Sequence, residues 1–390
     1  MIGVQRSSRA GALVAGAVLL MMVFFTVAYH HLDTLNSYLP SENHLPKPSK
    51  AAGGVASPGE EEWKDHMREF YLREMFGPEV TVDNETYSAW GAFEHKLPGK
   101  ARWTKPLGEN LCIIDLDNRP FRKGNEIFGS HPMSWDDPRS VHGLSLGVLN
   151  HWLYAKIHGY RYYFIETQDF EDRRASWKKP PVMSELLKDH EACIYLDSDA
   201  IFRNLGLPFE WLMNYWGLHP EANSLALALD PPEDKNRDKF GKVNLNTGFI
   251  VAQNNAKTHE IFDEWRACPD DGGRHPDCVN FRLASPGSPT DQGGFGTYIR
   301  YDYPEEIREL KCNEANGFTE SRTGCNGQFI KHVWTGKDTW MKASVGAQLP
   351  GKFLELFHEA FLDDVPNFYF TEDELMKGIT HQLRPQADGA

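Results

Sequence analysis

Short apolar runs recur along this chain, each closed by an acid, an amide or a glycine, and stretches with helical spacing lie between them. Leu111-Cys112-Ile113-Ile114 ends in Asp115, and Leu146, Leu149, Leu153 and Ile157 then recur every three or four residues up to Gly159. The first pattern predicts a buried strand and the second a helix stopped by glycine. Arg161 to Glu166 reads as the next strand, Val182 to Lys188 as a short helix, and Ala192 to Leu196 as a third strand. Leu225 to Leu229 and Thr247 to Ala252 add two more, and Ile261, Phe262 and Trp265 mark a helix after Asn255. Strands interleaved with helices predict an α/β fold around a mixed, mostly parallel central sheet, with ligands outside the carboxyl ends of its strands. Asp115, Glu166, Asp197 and Asp230 all fall at such ends. No internal repeat is present.

The N-terminal pattern differs. Ala10 to Tyr29 is an unbroken apolar run, long enough as a helix to cross a hydrocarbon core of about 30 Å, and Arg6 and Arg9 precede it without an acid. These features predict an uncleaved signal anchor with the short N-terminus in the cytosol and the rest in the lumen. So short an anchor suits a thin, early secretory membrane. The layout is then a tail over 1–9, an anchor over 10–29, a stem rich in Pro, Ser, Gly and Lys over 30–62, and a lumenal domain over 63–390. Glu61 to Phe76 reads as a short amphipathic helix where order begins. Net charge is −14, which excludes a nucleic-acid partner, since phosphates call for a basic face. An anionic small substrate would need a local cation.

Asn84-Glu85-Thr86 is a glycosylation acceptor, consistent with a lumenal domain. Cys268 with Cys278, and Cys312 with Cys325, are expected to form local disulfides. Cys112 and Cys193, inside apolar strands, are expected to be buried thiols. No C-x-x-C pair supports a zinc site.

The candidate chemistry centres on Cys193-Ile194-Tyr195-Leu196-Asp197-Ser198-Asp199-Ala200, where a strand delivers two carboxylates to its open end. Alternation would put Asp197 and Asp199 on one side. Magnesium and manganese prefer oxygen ligands and keep positions free for substrate phosphates, so two carboxylates suit them. Asn244-Leu245-Asn246-Thr247-Gly248 offers an amide for sugar hydroxyls at Asn246 and close backbone approach at Gly248, or simply a turn. In Thr290-Asp291-Gln292, Thr290 could cap a helix, or Asp291 and Gln292 could hold a sugar. His332, Gly336 and Lys337 follow a strand over Gln328 to Lys331 and could meet a metal-bound diphosphate. Asp115-Leu116-Asp117 supports a rival reading, a haloacid-dehalogenase-type phosphatase with Asp115 as nucleophile and Asp117 as acid/base, or else is a solvated strand end or a contact to a nucleotide base. Trp152, Trp177, Trp334 and Trp340 could stack on sugar rings or pack in the core.

Taken in order, Asn150 with Tyr154-Ala155-Lys156 and His158-Gly159-Tyr160, Ser176-Trp177-Lys178-Lys179, Leu196-Asp197-Ser198-Asp199-Ala200, Asn246-Thr247-Gly248, Asp291-Gln292 and His332 to Lys337 resemble glycosyltransferase family 34. This family comprises fungal and plant galactosyl-, mannosyl- and xylosyltransferases that are retaining type II membrane enzymes. The resemblance implies a GT-A-type nucleotide-sugar transferase fold and a Golgi rather than an endoplasmic reticulum location. It further implies Mn2+ (or Mg2+) on Asp197, Asp199 and His332, and donor binding by Lys179, Asn246, Gly248, Gly336 and Lys337. Asp291 and Gln292 would act at the reacting carbon. The implied partners are a UDP-hexose or GDP-mannose donor, a glycan acceptor and a glycosyltransferase complex, in which a non-catalytic scaffold role is the alternative. Same-face attack, with a diphosphate oxygen taking the acceptor proton, is the favoured retaining route over a covalent Asp291 adduct.

Overall fold

The computed structural model of the chain describes residues 58–75, 77–78, 80–89, 93–283 and 290–378. The expected tail, anchor and most of the stem lie outside these residues, and among the described residues no helix is long and apolar enough to cross a membrane. Helix α1 (Pro58–Phe70) leads in, followed by the antiparallel pair β1 (Thr86–Ala89) and β2 (Phe93–Lys96). From there the chain alternates through β3 (Leu111–Asp117), α2 (Gly143–His158), β4 (Arg161–Glu166), α3 (Lys179–Leu187), β5 (Ala192–Leu196), β6 (Ala200–Phe202) and α4 (Phe209–Trp216). It continues with β7 (Leu225–Leu229), β8 (Leu245–Gln253), α5 (Ala256–Ala267), β9 (Ile307–Leu310), β10 (Ile330–His332), α6 (Lys337–Gln348), α7 (Gly351–Phe368), β11 (Tyr369–Thr371) and α8 (Glu372–Met376).

The main sheet has the order β11-β4-β3-β5-β8-β7-β9. Every neighbouring pair is parallel except the two that involve β8, so β8 alone of these seven runs against the others. The carboxyl ends of β3, β4, β5 and β7 therefore open on one side, carrying Asp117, Glu166, Asp197 and Asp230 there. Alternation along each strand divides the core between the two faces. Ile113, Phe164 and Ile194 pack with α2 and α7, whereas Cys112, Ile114 and Tyr195 pack with α3 and α5. Gly159 ends α2 at φ 70°, the left-handed turn that favours glycine, and Asn255 caps α5 by accepting from the Thr258 amide at 2.9 Å.

Two expectations change. Cys112 and Cys193 are register partners on the adjacent parallel strands β3 and β5, with Cα atoms 4.5 Å apart, and form a disulfide rather than staying free thiols. The pairings Cys268–Cys278 and Cys312–Cys325 are as expected. Secondly, β5 ends at Leu196, so Asp197 and Asp199 are displayed by a turn and not by strand alternation. The Ala200 amide closes that turn on the Asp197 carbonyl at 2.8 Å, and the Asp197 amide is held by the Gly248 carbonyl at 2.8 Å.

Candidate active site

The turn that carries the two carboxylates is braced from below by α2. A Cβ at Gly147 would lie 2.0 Å from the Ser198 carbonyl oxygen, so only glycine lets the helix approach this closely. From the other side β10 pairs antiparallel with β6, placing His332 opposite Ala200. Asp197, Asp199 and His332 thereby converge, each offering one ligand atom within 4.8 Å of the others. His332 Nε2 lies 3.4 Å from Asp199 Oδ1, and Lys337 Nζ contacts Asp199 Oδ2. Burial pushes the Asp199 carboxyl up, but His332 and Lys337 outweigh it and hold the group below its ordinary range. Burial pushes the His332 imidazole down, yet Asp199 more than offsets this and the ring is held above its ordinary value.

This donor set fits a divalent cation such as manganese: two carboxylates and one imidazole suit a borderline-hard ion. His332 Nδ1 lies 3.1 Å from Asn316 Oδ1, an acceptor, so the proton belongs on Nδ1 and Nε2 faces the carboxylates.

On the far side of the turn, Lys179 of α3 reaches through the interior. Its ammonium contacts Asp197 Oδ1 at 3.1 Å, Asp291 Oδ2 at 3.4 Å and the Thr247 carbonyl at 3.0 Å. Burial lowers the Lys179 pKa, but Asp197 and Asp291 more than compensate and the group is held charged. Asp291 begins a one-turn helix, Asp291–Gly294, wedged under two tryptophans. Trp265 Nε1 donates to the Asp291 carbonyl at 3.2 Å, and a Cβ at Gly294 would meet the Trp177 ring at 2.5 Å. The Asp291 carboxylate accepts from Thr247 Oγ1 at 2.8 Å and from Thr290 Oγ1 at 3.0 Å, so Thr290 bonds the neighbouring side chain instead of capping the helix. Gln292 Nε2 donates to Asp230 Oδ2 at 2.8 Å, and Asn246 Nδ2 donates to Asp230 Oδ1 at 2.8 Å. A Cβ at Gly248 would lie 2.4 Å from His332 Cε1, which explains the glycine beside the cluster.

These groups surround a cavity of about 340 Å³ lined by Lys179, Asp197, Asp199, Asp291, Gln292 and Lys337 among others. Of the expected residues, Asn246, Gly248, Gly336 and His332 are not among this lining; Gly336 is the exposed, left-handed residue (φ 61°) that starts α6 just before Lys337. Asp117, for which a contact to the nucleotide base was one expectation, and Arg119, for which none was made, also line the cavity. Arg119 grips Asp117 through two bonds of 2.8 and 2.6 Å and donates to Ser198 Oγ at 2.9 Å. Nothing local in Asp117-Asn118-Arg119 signals this, because it depends on β3 lying beside β5.

The phosphatase reading loses its nucleophile. Asp115 is 2% exposed and both oxygens are occupied, by His151 Nδ1 at 2.9 and 3.0 Å and by the Tyr162 hydroxyl. Trp152 and Trp177 are buried and pack in the core, while Trp334 and Trp340 are partly exposed.

The model of the galactosyl transferase GMA12/MNN10 family matches residues 128–281. This segment belongs to glycosyltransferase family 34. The family-34 segment contains Asp197 and Asp199, while Asp291, His332 and Lys337 lie beyond it. Xyloglucan 6-xylosyltransferase 2 of Arabidopsis thaliana is 23% identical over 210 residues, covering 53% of this chain and 40% of that protein. Xyloglucan 6-xylosyltransferase 1 of Arabidopsis thaliana is 25% identical over 186 residues, 42% of this chain and 38% of that protein. The chain thus spans about two fifths of the length of these relatives. A solved glycosyltransferase involved in the glycosylation of the major capsid of PBCV-1 aligns over 61% of this chain and 98% of that chain at 13% identity and TM-score 0.42, too distant to carry weight.

Proposed function

We propose that this chain is a metal-dependent, retaining glycosyltransferase that moves a hexose, galactose or mannose, from a nucleotide-sugar donor to a glycan acceptor in the secretory pathway. The observation that carries this reading is the convergence of Asp197, Asp199 and His332 with Lys337 on one side and Asp291 and Gln292 on the other, around one cavity. Manganese, when bound, supplies Lewis-acid stabilisation of charge on a leaving diphosphate. Lys337 sits at the first turn of α6, so its ammonium and the free amides of the helix start both favour a phosphate nearby. Gln292, steered by Asp230, presents its remaining amide oxygen near the Thr247 amide at 3.4 Å and orients the sugar. Asp291 has both oxygens engaged by Thr247, Thr290 and Lys179, which favours an orienting role over a covalent one. As the bond from the anomeric carbon to the diphosphate breaks, the acceptor hydroxyl bonds to that carbon from the same face and passes its proton to a diphosphate oxygen, which gives retention.

Three disulfides support an oxidising lumen. With residues 10–29 as anchor and 30–62 as stem, we place the protein in the Golgi membrane with its catalytic domain lumenal, alone or in a glycosyltransferase complex. Carbonate extraction and co-migration with Golgi markers test this; release by carbonate would overturn the anchor. The names of the relatives favour a second donor reading, a pentose, so UDP-xylose belongs in the test. The full-length protein is given UDP-galactose, UDP-glucose, UDP-xylose and GDP-mannose with Mn2+ or with chelator, and nucleotide release is measured. Manganese-dependent release of one nucleotide, absent in Asp199→Ala, is expected, and the anomeric configuration of the product by NMR checks retention. Donor binding without release, even with glycan acceptors added, would favour the scaffold alternative, and no binding of any donor would overturn both.

A further inference from the structure

Behind the cavity wall lies a polar chain that neither the sequence patterns nor the family match assigns. Asn316 is 1% exposed and uses its whole hydrogen-bonding capacity. Its Nδ2 donates to the Leu229 carbonyl at 3.0 Å and to Asp230 Oδ1 at 3.3 Å. Its Oδ1 accepts from the Gly317 amide at 2.9 Å and faces His332 Nδ1 at 3.1 Å. A flipped amide would set its NH2 against the Gly317 N–H and its one oxygen against the Leu229 carbonyl and Asp230 Oδ1, so the orientation is fixed by its neighbours. An oxygen at this place requires an N–H on His332 Nδ1. The opposite nitrogen, Nε2, is the one that faces Asp199.

The same amide reaches the sugar side. Asp230 is buried and gathers donors from Asn316, Asn246 and Gln292. The backbone holds this chain in place: the His332 amide donates to the Gly317 carbonyl at 3.0 Å, the Asn316 amide donates to the Cys312 carbonyl at 2.9 Å, and the Cys312–Cys325 disulfide closes the loop. On the far side of the imidazole, Gly248 makes room for the ring, since a Cβ there would lie 2.4 Å from His332 Cε1.

We propose that Asn316 is a positioning residue that fixes the His332 tautomer for metal ligation through Nε2 and, through Asp230, couples that ligand to the amides of Asn246 and Gln292. This rests on the metal site in the reading above. Partners of this kind commonly change metal affinity by about 10- to 100-fold when removed.

The test is Mn2+ binding to the full-length protein, read from the electron paramagnetic resonance signal of free Mn2+, with melting temperature measured alongside. Asn316→Leu is expected to weaken Mn2+ binding by about 10- to 100-fold. Asn316→Asp, an isosteric acid whose oxygen still accepts from Nδ1 while its protonated oxygen faces Asp230, is expected to bind Mn2+ within about threefold of wild type, well inside the loss seen for lost partners. Equal Mn2+ affinity in wild type and a folded Asn316→Leu would overturn the proposal and leave the metal site standing. Absence of Mn2+ binding by wild type would overturn both. Should Asn316→Leu fail to fold, cobalt-loaded wild type gives an independent answer. Its proton spectrum should contain a strongly shifted, slowly exchanging imidazole N–H that vanishes in His332→Gln, and lack of that signal would sink the tautomer assignment.

Discussion

Asp-x-Asp closes the strand β3 and follows the neighbouring parallel strand β5, and the two become different devices. On β3 the strand continues through both acids, paired with β4 as far as Asp117 and Glu166. Asp115 and Asp117 therefore share the sheet face covered by α2, where His151 and Tyr162 seal Asp115 in the interior and Arg119 neutralises Asp117. On β5 the strand stops at Leu196, and the following turn throws Asp197 and Asp199 toward the cavity. The same letters give a sealed structural pair in one case and a cluster with His332 that could hold a cation in the other, because the strand ends at a different point. His151 sharpens the contrast: its Nε2 contacts the Ala200 carbonyl at 2.7 Å, so the sealed device underlies the turn that displays the open one.

Substitution of each device should separate activity from stability. Mn2+ is expected to raise the melting temperature of wild type, and Asp199→Ala to abolish that rise and to lower turnover by about 100-fold, the scale of losing one key electrostatic stabiliser. Differential scanning fluorimetry with Mn2+ or chelator checks the first effect, and nucleotide release checks the second. Unchanged Mn2+ stabilisation in Asp199→Ala would break the comparison outright. Asp115→Ala should do the reverse. Removing one partner from a buried, hydrogen-bonded pair costs about 3 kcal/mol, which for a domain of this size lowers the melting temperature by roughly 5 °C. The folded fraction should retain Mn2+ affinity within about threefold, short of the change a lost metal partner brings. Full thermal stability with lost Mn2+ binding would mean that Asp115, not the turn, serves the metal.

How far the sequence foretold this depends on whether a feature is local. The strand Arg161–Glu166, the stop at Gly159 and the helix after Asn255 are read from adjacent residues and appear as expected. The order of motifs also pointed to Asp197, Asp199 and His332, which the fold brings together although β10 is distant in the chain. Features set by strand order were illegible. Nothing in the apolar runs around Cys112 and Cys193 says that β3 and β5 are neighbours in register, so the disulfide between them was missed. Asp230 was legible as a strand end but not as the acceptor of three amides. Asn316 had only a weak local signal: an amide before Gly317, whose φ of 83° marks a turn, inside the Cys312–Cys325 loop.

The smallest expected stability effect concerns Arg119, whose guanidinium joins the two strand ends by holding Asp117 and donating to Ser198. Its side chain is 49% exposed and lies 5.0 Å from the centre of the Phe121 ring. Asp117 is only 6% exposed but lines the cavity, where water can replace the guanidinium, so Arg119→Ala should lower the melting temperature less than Asp115→Ala does. Its effect should appear in donor binding, because the guanidinium lines the cavity and contacts Ser198 Oγ at 2.9 Å. Steady-state kinetics with the best donor should give a raised KM and a kcat within about threefold of wild type, the pattern of a lost contact made equally in ground and transition states. A large fall in kcat with KM unchanged would mean that Asp117 and Arg119 shape the Asp197–Asp199 turn itself, and the two devices would then be one. No change in either constant would mean that β3 contributes to the cavity only as a wall.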